Sequence, residues 1–175
     1  MANGVLIKDQ VAAMNVDALN RSAKGSVDID NGDIFQLASK SAVSGEGEVW
    51  LATAPATSHL DGLWMAAEAA VVLTDEKYKG IDPDVRNFTI PDGEVFSAIK
   101  LQAGDIVSLT GDALTGTAEL AYANAANAAY KLAWGASQTS DALSLKYLKT
   151  DSLSIGLGAI GSQRIDLYQF EVVAN

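Results

Sequence analysis

The only histidine, His59, sits between Ser58 and Asp61. Ser, His and Asp together are the set that activates a hydroxyl nucleophile. In a working triad the groups come from distant points of the chain, and the third orients the base. Neighbours in one loop do not present that geometry, so His59 reads as a loop or interface residue. Close carboxylate pairs recur at Asp82/Asp84, Glu46/Glu48 and Asp75/Glu76. Glycoside hydrolysis needs two carboxyls facing each other across a cleft, whereas acidic loops are common on any acidic protein. The run DIDNGD at 28–33 looks like half of a calcium loop. An EF-hand loop places Gly sixth and Glu twelfth, but counting from Asp28, Gly32 is fifth and Ser39 twelfth. The run GLGAIG at 156–161 matches the dinucleotide pattern G-x-G-x-x-G. That pattern works only when it opens a helix and an acidic ribose partner follows about 20 residues on. Here a strand-like SQRIDLYQF follows, and the sequence ends before such a partner. No catalytic residue, metal ligand or cofactor is expected. Trp50, Trp64 and Trp134 fit a sugar-stacking face, but core anchoring is the commoner role of large aromatics.

The elements that must position these residues are organised around one phrase used twice. The first copy, at 27–38, reads VDIDNGDIFQLA, and the second, at 99–110, reads IKLQAGDIVSLT. Without a gap, Gly32 and Asp33 fall on Gly104 and Asp105. Each copy reads as strand, tight turn, strand, a Gly–Asp hairpin. Glycine supplies positive φ, and aspartate bonds nearby backbone. A further Pro–Asp–Gly turn is expected at Pro91 and Gly93. All six residues read as structural turns.

The chain has 175 residues, enough for one domain or two small ones sharing a core. It is 49% hydrophobic, and alanine supplies much of that, so a core lean in bulky side chains is expected. The formal net charge is −10 and the 12 Lys and Arg are scattered singly, so no basic face for nucleic acid is visible in the sequence and an anionic membrane is disfavoured. There is no cysteine, so disulfides and thiol chemistry are excluded. No apolar run approaches the ~18 residues of a membrane helix. The first residues lack a basic region followed by an apolar run, so no secretion signal is expected.

Along the chain, residues 1–24 are weakly patterned. A short strand at 5–7 and a short helix within 9–19 are expected, read together as an irregular N-terminal arm. Residues 25–175 form the β-rich body. Strands are expected at 48–54, 94–101, 142–148 and 164–173, with apolar stretches at 63–67 and 70–73. The run 119–134 is alanine-rich, which favours helix. Leu120 and Tyr122 alternate, as do Tyr130, Leu132 and Trp134, and that period of two favours a hairpin. Short strands with frequent turn signals predict a mainly β fold, an antiparallel barrel or sandwich. Trp50, Trp64, Phe96, Trp134 and Phe170 are the expected core anchors.

Three runs, GEVWLATAP at 47–55, HLDGLWMA at 59–66 and KYKGIDPDVRNFTIPDGEVF at 77–96, carry a resemblance. Together with the ending SIGLGAIGSQRIDLYQFEVV at 154–173, this order resembles the capsid decoration, or head cement, proteins of tailed bacteriophages. The resemblance covers roughly 25–173. It implies a structural virion protein, not an enzyme, assembled in the host cytoplasm. Such a protein sits in many copies on the outer surface of the capsid, binds the major capsid protein and stabilises the mature head. Neither nucleic acid nor membrane is an expected partner. The alternative from another class is a carbohydrate-binding module, also compatible with display on a virion.

Overall fold

The computed structural model describes residues 2–57, 60–72, 82, 84–155 and 163–175. The fold is mainly β, with twelve strands and four short 3-10 turns among the described residues. The strands are β1 (Leu6–Gln10), β2 (Asn20–Lys24), β3 (Ile34–Lys40), β4 (Val49–Thr53), β5 (Trp64–Ala66), β6 (Val95–Ile99), β7 (Ile106–Thr110), β8 (Leu114–Thr115), β9 (Tyr122–Asn124), β10 (Leu132–Gly135), β11 (Ser144–Ile155) and β12 (Gln163–Ala174). They form a closed five-stranded barrel, β2-β4-β3-β5-β6, and a seven-stranded sheet, β1-β7-β12-β11-β9-β10-β8.

The period-two alternation of the barrel strands divides their side chains between two cores. In β3, Phe35 points into the barrel and Ile34 points toward the sheet, and both are fully buried. The barrel interior holds Phe35 and Phe96, edge to face with centroids 5.5 Å apart. Ala23, Ala52, Ala66 and Ala98 surround them. A barrel this narrow has room for two phenyl rings only if the facing positions are small. The alanine content of the sequence is used here. The second core lies between barrel and sheet, where Ile34, Met65 and Ile99 meet Val107, Leu109, Leu145 and Phe170.

The N-terminal segment is not an irregular arm, which corrects the expectation for 1–24. β1 pairs antiparallel with β7, and β2 closes the barrel between β4 and β6. Val5, Val11, Ala13 and Ala23 are buried. The short helix expected within 9–19 is replaced by β1 and two 3-10 turns, Ala12–Met14 and Asp17–Leu19. The expected pairing in 119–134 is present: Ala133 faces Asn124 and Trp134 faces Ala123 in an antiparallel register.

The two Gly–Asp phrases adopt one backbone geometry. Gly32 has φ of +92° and Gly104 of +94°. Each turn closes with the aspartate N–H donating to the carbonyl three residues back, Asp30 or Gln102. One carboxylate oxygen of each aspartate then accepts the N–H of that same residue, at 2.9 and 2.8 Å. Even the docking repeats. Gly32 N–H donates to Ala66 O, and Ala66 N–H to Asp33 O. Gly104 and Asp105 do the same with Val172. The expectation of hairpins needs correction, because neither turn joins two paired strands. Before the first turn only Ile29 bridges, to Ile90. The second turn carries the chain from β6 in the barrel to β7 in the other sheet. Each turn docks a strand start against a third strand: the first does so within the barrel, and the second joins the barrel to the other sheet.

Candidate functional site

The residues with chemical potential are mostly committed to backbone. Asp28 Oδ1 accepts the Asp92 N–H at 3.0 Å. The Asn31 side chain pairs with both backbone groups of Glu68, at 3.0 and 2.9 Å. Asp30 Oδ2 lies 3.5 Å from Lys131 Nζ. The calcium-like run 28–33 is therefore consumed by turn and docking bonds. Among the described residues no group of three or more His, Cys, Asp or Glu side chains is arranged to hold a metal.

The carboxylate pairs are consumed in the same way. Asp84 caps the 3-10 turn Val85–Asn87 and grips Arg86 at 2.8 Å. The Arg86 hydrogen bonds hold its carboxyl below the usual range. Asp82 accepts from Asp84 N–H and from the Asn87 amide. Glu46 bonds Ser41 and Lys24, and those bonds hold its carboxyl low. Glu48 meets Lys40 at 3.2 Å. His59 and Ser58, the pair Asp75/Glu76, and the run 156–161 lie outside the described residues.

Pro91 and Gly93 form a third turn of similar type. Gly93 has φ of +75°, and Glu94 N–H donates to Pro91 O. The signal was present as a third Gly–acid–aliphatic run, Gly93–Glu94–Val95, which two-copy alignment passes over.

The expected anchors divide. Phe96, Trp134 and Phe170 are buried. Trp134 packs against Phe170 and Tyr168 at centroid distances of 5.2 and 5.3 Å. Trp64 is half-buried against the barrel core. Trp50 belongs to neither core, so its reading as a core anchor is corrected. Both half-buried rings stand at one end of the barrel, each lining an open depression. One, of about 420 Å³, lies between Trp50, Lys40, Glu48 and Asn20–Ser22. The other, of about 390 Å³, lies between Trp64, Leu37, Gln36 and Asp61. The Arg21 guanidinium sits 5.7 Å over the Trp64 ring, and Lys40 Nζ sits 5.8 Å over Trp50. Such placements are favoured by the electrostatics of aromatic faces. Sequence reasoning missed Arg21 and Lys40, because only barrel closure brings them to the rings.

This end of the barrel is a candidate surface. It offers flat aromatic area, hydrogen-bonding side chains and cations, and it suits docking of another molecule better than bond-breaking chemistry. No family model, no curated protein and no solved structure matches the chain.

Proposed function

We propose that this chain is a structural virion protein that binds the outer surface of a tailed-phage capsid and stabilises the mature head. The observation that carries the reading is the placement of the resembling motifs. Run 47–55 holds β4, 60–66 leads into β5 and 88–96 turns into β6, three successive strands, while 163–173 lies in β12. The second Gly–Asp turn supports it, since it ties the barrel to the other sheet around a shared core and so stiffens a body that presents fixed faces. Weak contacts by each copy suffice, because many copies on one lattice add avidity.

Heads stripped of this protein should lose tolerance to heat and osmotic shock, and purified protein should restore it. Stripped heads as robust as native ones contradict the proposal. A carbohydrate-binding module remains the second reading, because Trp50 and Trp64 line open depressions. The cations already seated over both rings oppose sugar stacking. A glycan array with hits lost in Trp64→Ala would favour it.

A further inference from the structure

The two ends of the barrel differ in chemistry, and each supplies what the other lacks. Strand pairing defines the ends. Asn20 faces Ile99 at one, and Lys24 faces Val95 at the other. At the first end stand Arg21, Lys40 and the rings of Trp50 and Trp64. Lys100 Nζ lies near Gly62, which lines the Trp64 depression. The carboxylates lining these depressions are Glu48 and Asp61, and Glu48 is already paired with Lys40. Among the lining residues Arg21 and Lys40 balance Glu48 and Asp61, which sets this end apart on a chain of net charge −10. Among the described residues Arg21 meets no carboxylate, and its one hydrogen bond goes to the Asn20 carbonyl. The guanidinium over Trp64 thus has no charge partner among the described residues, an arrangement suited to an incoming carboxylate.

At the other end the surface is apolar in the middle and acidic around it. Leu51, Lys24 and Val95 form one row across β4, β2 and β6. Val27, Leu51 and Val95 are exposed, at 42, 37 and 46% of their surface. Asp28, Asp92 and Glu94 are exposed beside them, with Asp28 and Asp92 tied together through the Asp92 N–H. Lys24 is turned toward Glu46 at 2.9 Å, so it does not offset this acidity.

We infer that the Trp50–Trp64 end of the barrel receives the Asp28–Asp92–Glu94 end of a second copy of this chain, so that copies associate head to tail. An apolar centre, a polar rim, and aromatic and arginine side chains on one partner match the anatomy of protein interfaces. The contact is heterologous, so copies propagate as a ring or an open row according to the rotation between them. A polysaccharide fits the mouth less well, because the ring faces on which a sugar would stack carry Arg21 and Lys40. The inference does not depend on capsid binding, and it stands or falls in a solution of the purified chain alone.

The test is sedimentation velocity of the full chain at rising concentration, in low and in high salt. The wild type should show mass rising above 18.2 kDa with concentration, and falling back as salt is added. Arg21→Glu and Asp92→Lys, each alone, should weaken association about tenfold or more. The double variant should recover most of the loss, because the reversed charges meet again across the contact. Both residues are exposed, and thermal melts should show that all three variants fold. A chain that stays monomeric at every concentration overturns the inference. So does association indifferent to either reversal, or a double variant no stronger than the singles.

Discussion

Asp33 and Asp105 hold the same turn position, yet their second carboxylate oxygens differ. Asp105 Oδ1 accepts the Ala12 N–H at 2.9 Å, whereas Asp33 Oδ1 is buried with no partner among the described residues. Burial pushes the Asp33 carboxyl up to about 6, against the pull of the Asp30 N–H and with a smaller push from the Asp30 charge. The sign follows from linkage. A carboxyl whose folded value exceeds its unfolded value of 3.8 takes up a proton first in the folded state. Stability therefore falls as pH rises from about 4 to about 6, and stays reduced above that. The two values differ by about 2 units, equivalent to about 3 kcal/mol. Asp33→Asn should stabilise the protein at pH 7 by roughly 1–2 kcal/mol, less than the full amount because the new amide N–H2 also lacks a partner. Urea unfolding at several pH values should show the slope between pH 4 and 6 flattened. A slope unchanged in Asp33→Asn contradicts this account. The glycines preceding these aspartates give a second test. A Cβ at Gly32 would lie 2.7 Å from Leu109 Cδ2, while one at Gly104 would meet nothing within 4 Å. Gly104→Ala should cost about 1 kcal/mol for backbone strain alone, and Gly32→Ala roughly 2–4 kcal/mol for strain plus overpacking. Equal losses in melting measurements would remove the distinction. The turns were legible because Gly–Asp chemistry is local. The orphan oxygen was not, because the partner that Asp105 has and Asp33 lacks comes from Ala12, 93 residues away in the chain.

Several strands were legible as elements: β4 and β6 lie inside the expected spans 48–54 and 94–101, and β12 covers the alternating run 164–173 with one residue more at each end. β2 was not. Of its residues only Ala23 is buried; Asn20, Arg21 and Ser22 are exposed. A polar strand with one small inward residue gives no apolar period, so it reads as linker. It is nevertheless the strand that closes the barrel, pairing with β4 along one edge and β6 along the other. The C-terminal end makes a comparable joint that no pattern announces. The Asn175 amide accepts from Leu63 N–H and donates to Leu63 O and Leu101 O, tying β12 to the barrel. Deleting residues 1–24 should therefore unfold the protein, because β6 and β4 would each gain an unpaired edge and the core would lose Val11, Ala13 and Ala23. Circular dichroism of the truncated chain checks this. A cooperative melt near that of the full chain would contradict the role assigned to β2.

At the scale of the whole molecule, barrel and sheet share one apolar layer and act as a single block. The mainly β class was legible from strand and turn spacing. The split into a closed barrel and an open sheet was not, because β6 and β7 are adjacent in sequence yet pair in different sheets. The proposed capsid role requires such a block to offer fixed faces to neighbours, and direct binding is its plainest test. On that reading, purified protein should pellet with mature, undecorated tailed-phage heads and saturate at a fixed number of copies per capsomer. Protein that stays in the supernatant with heads at every stage of expansion would contradict the account.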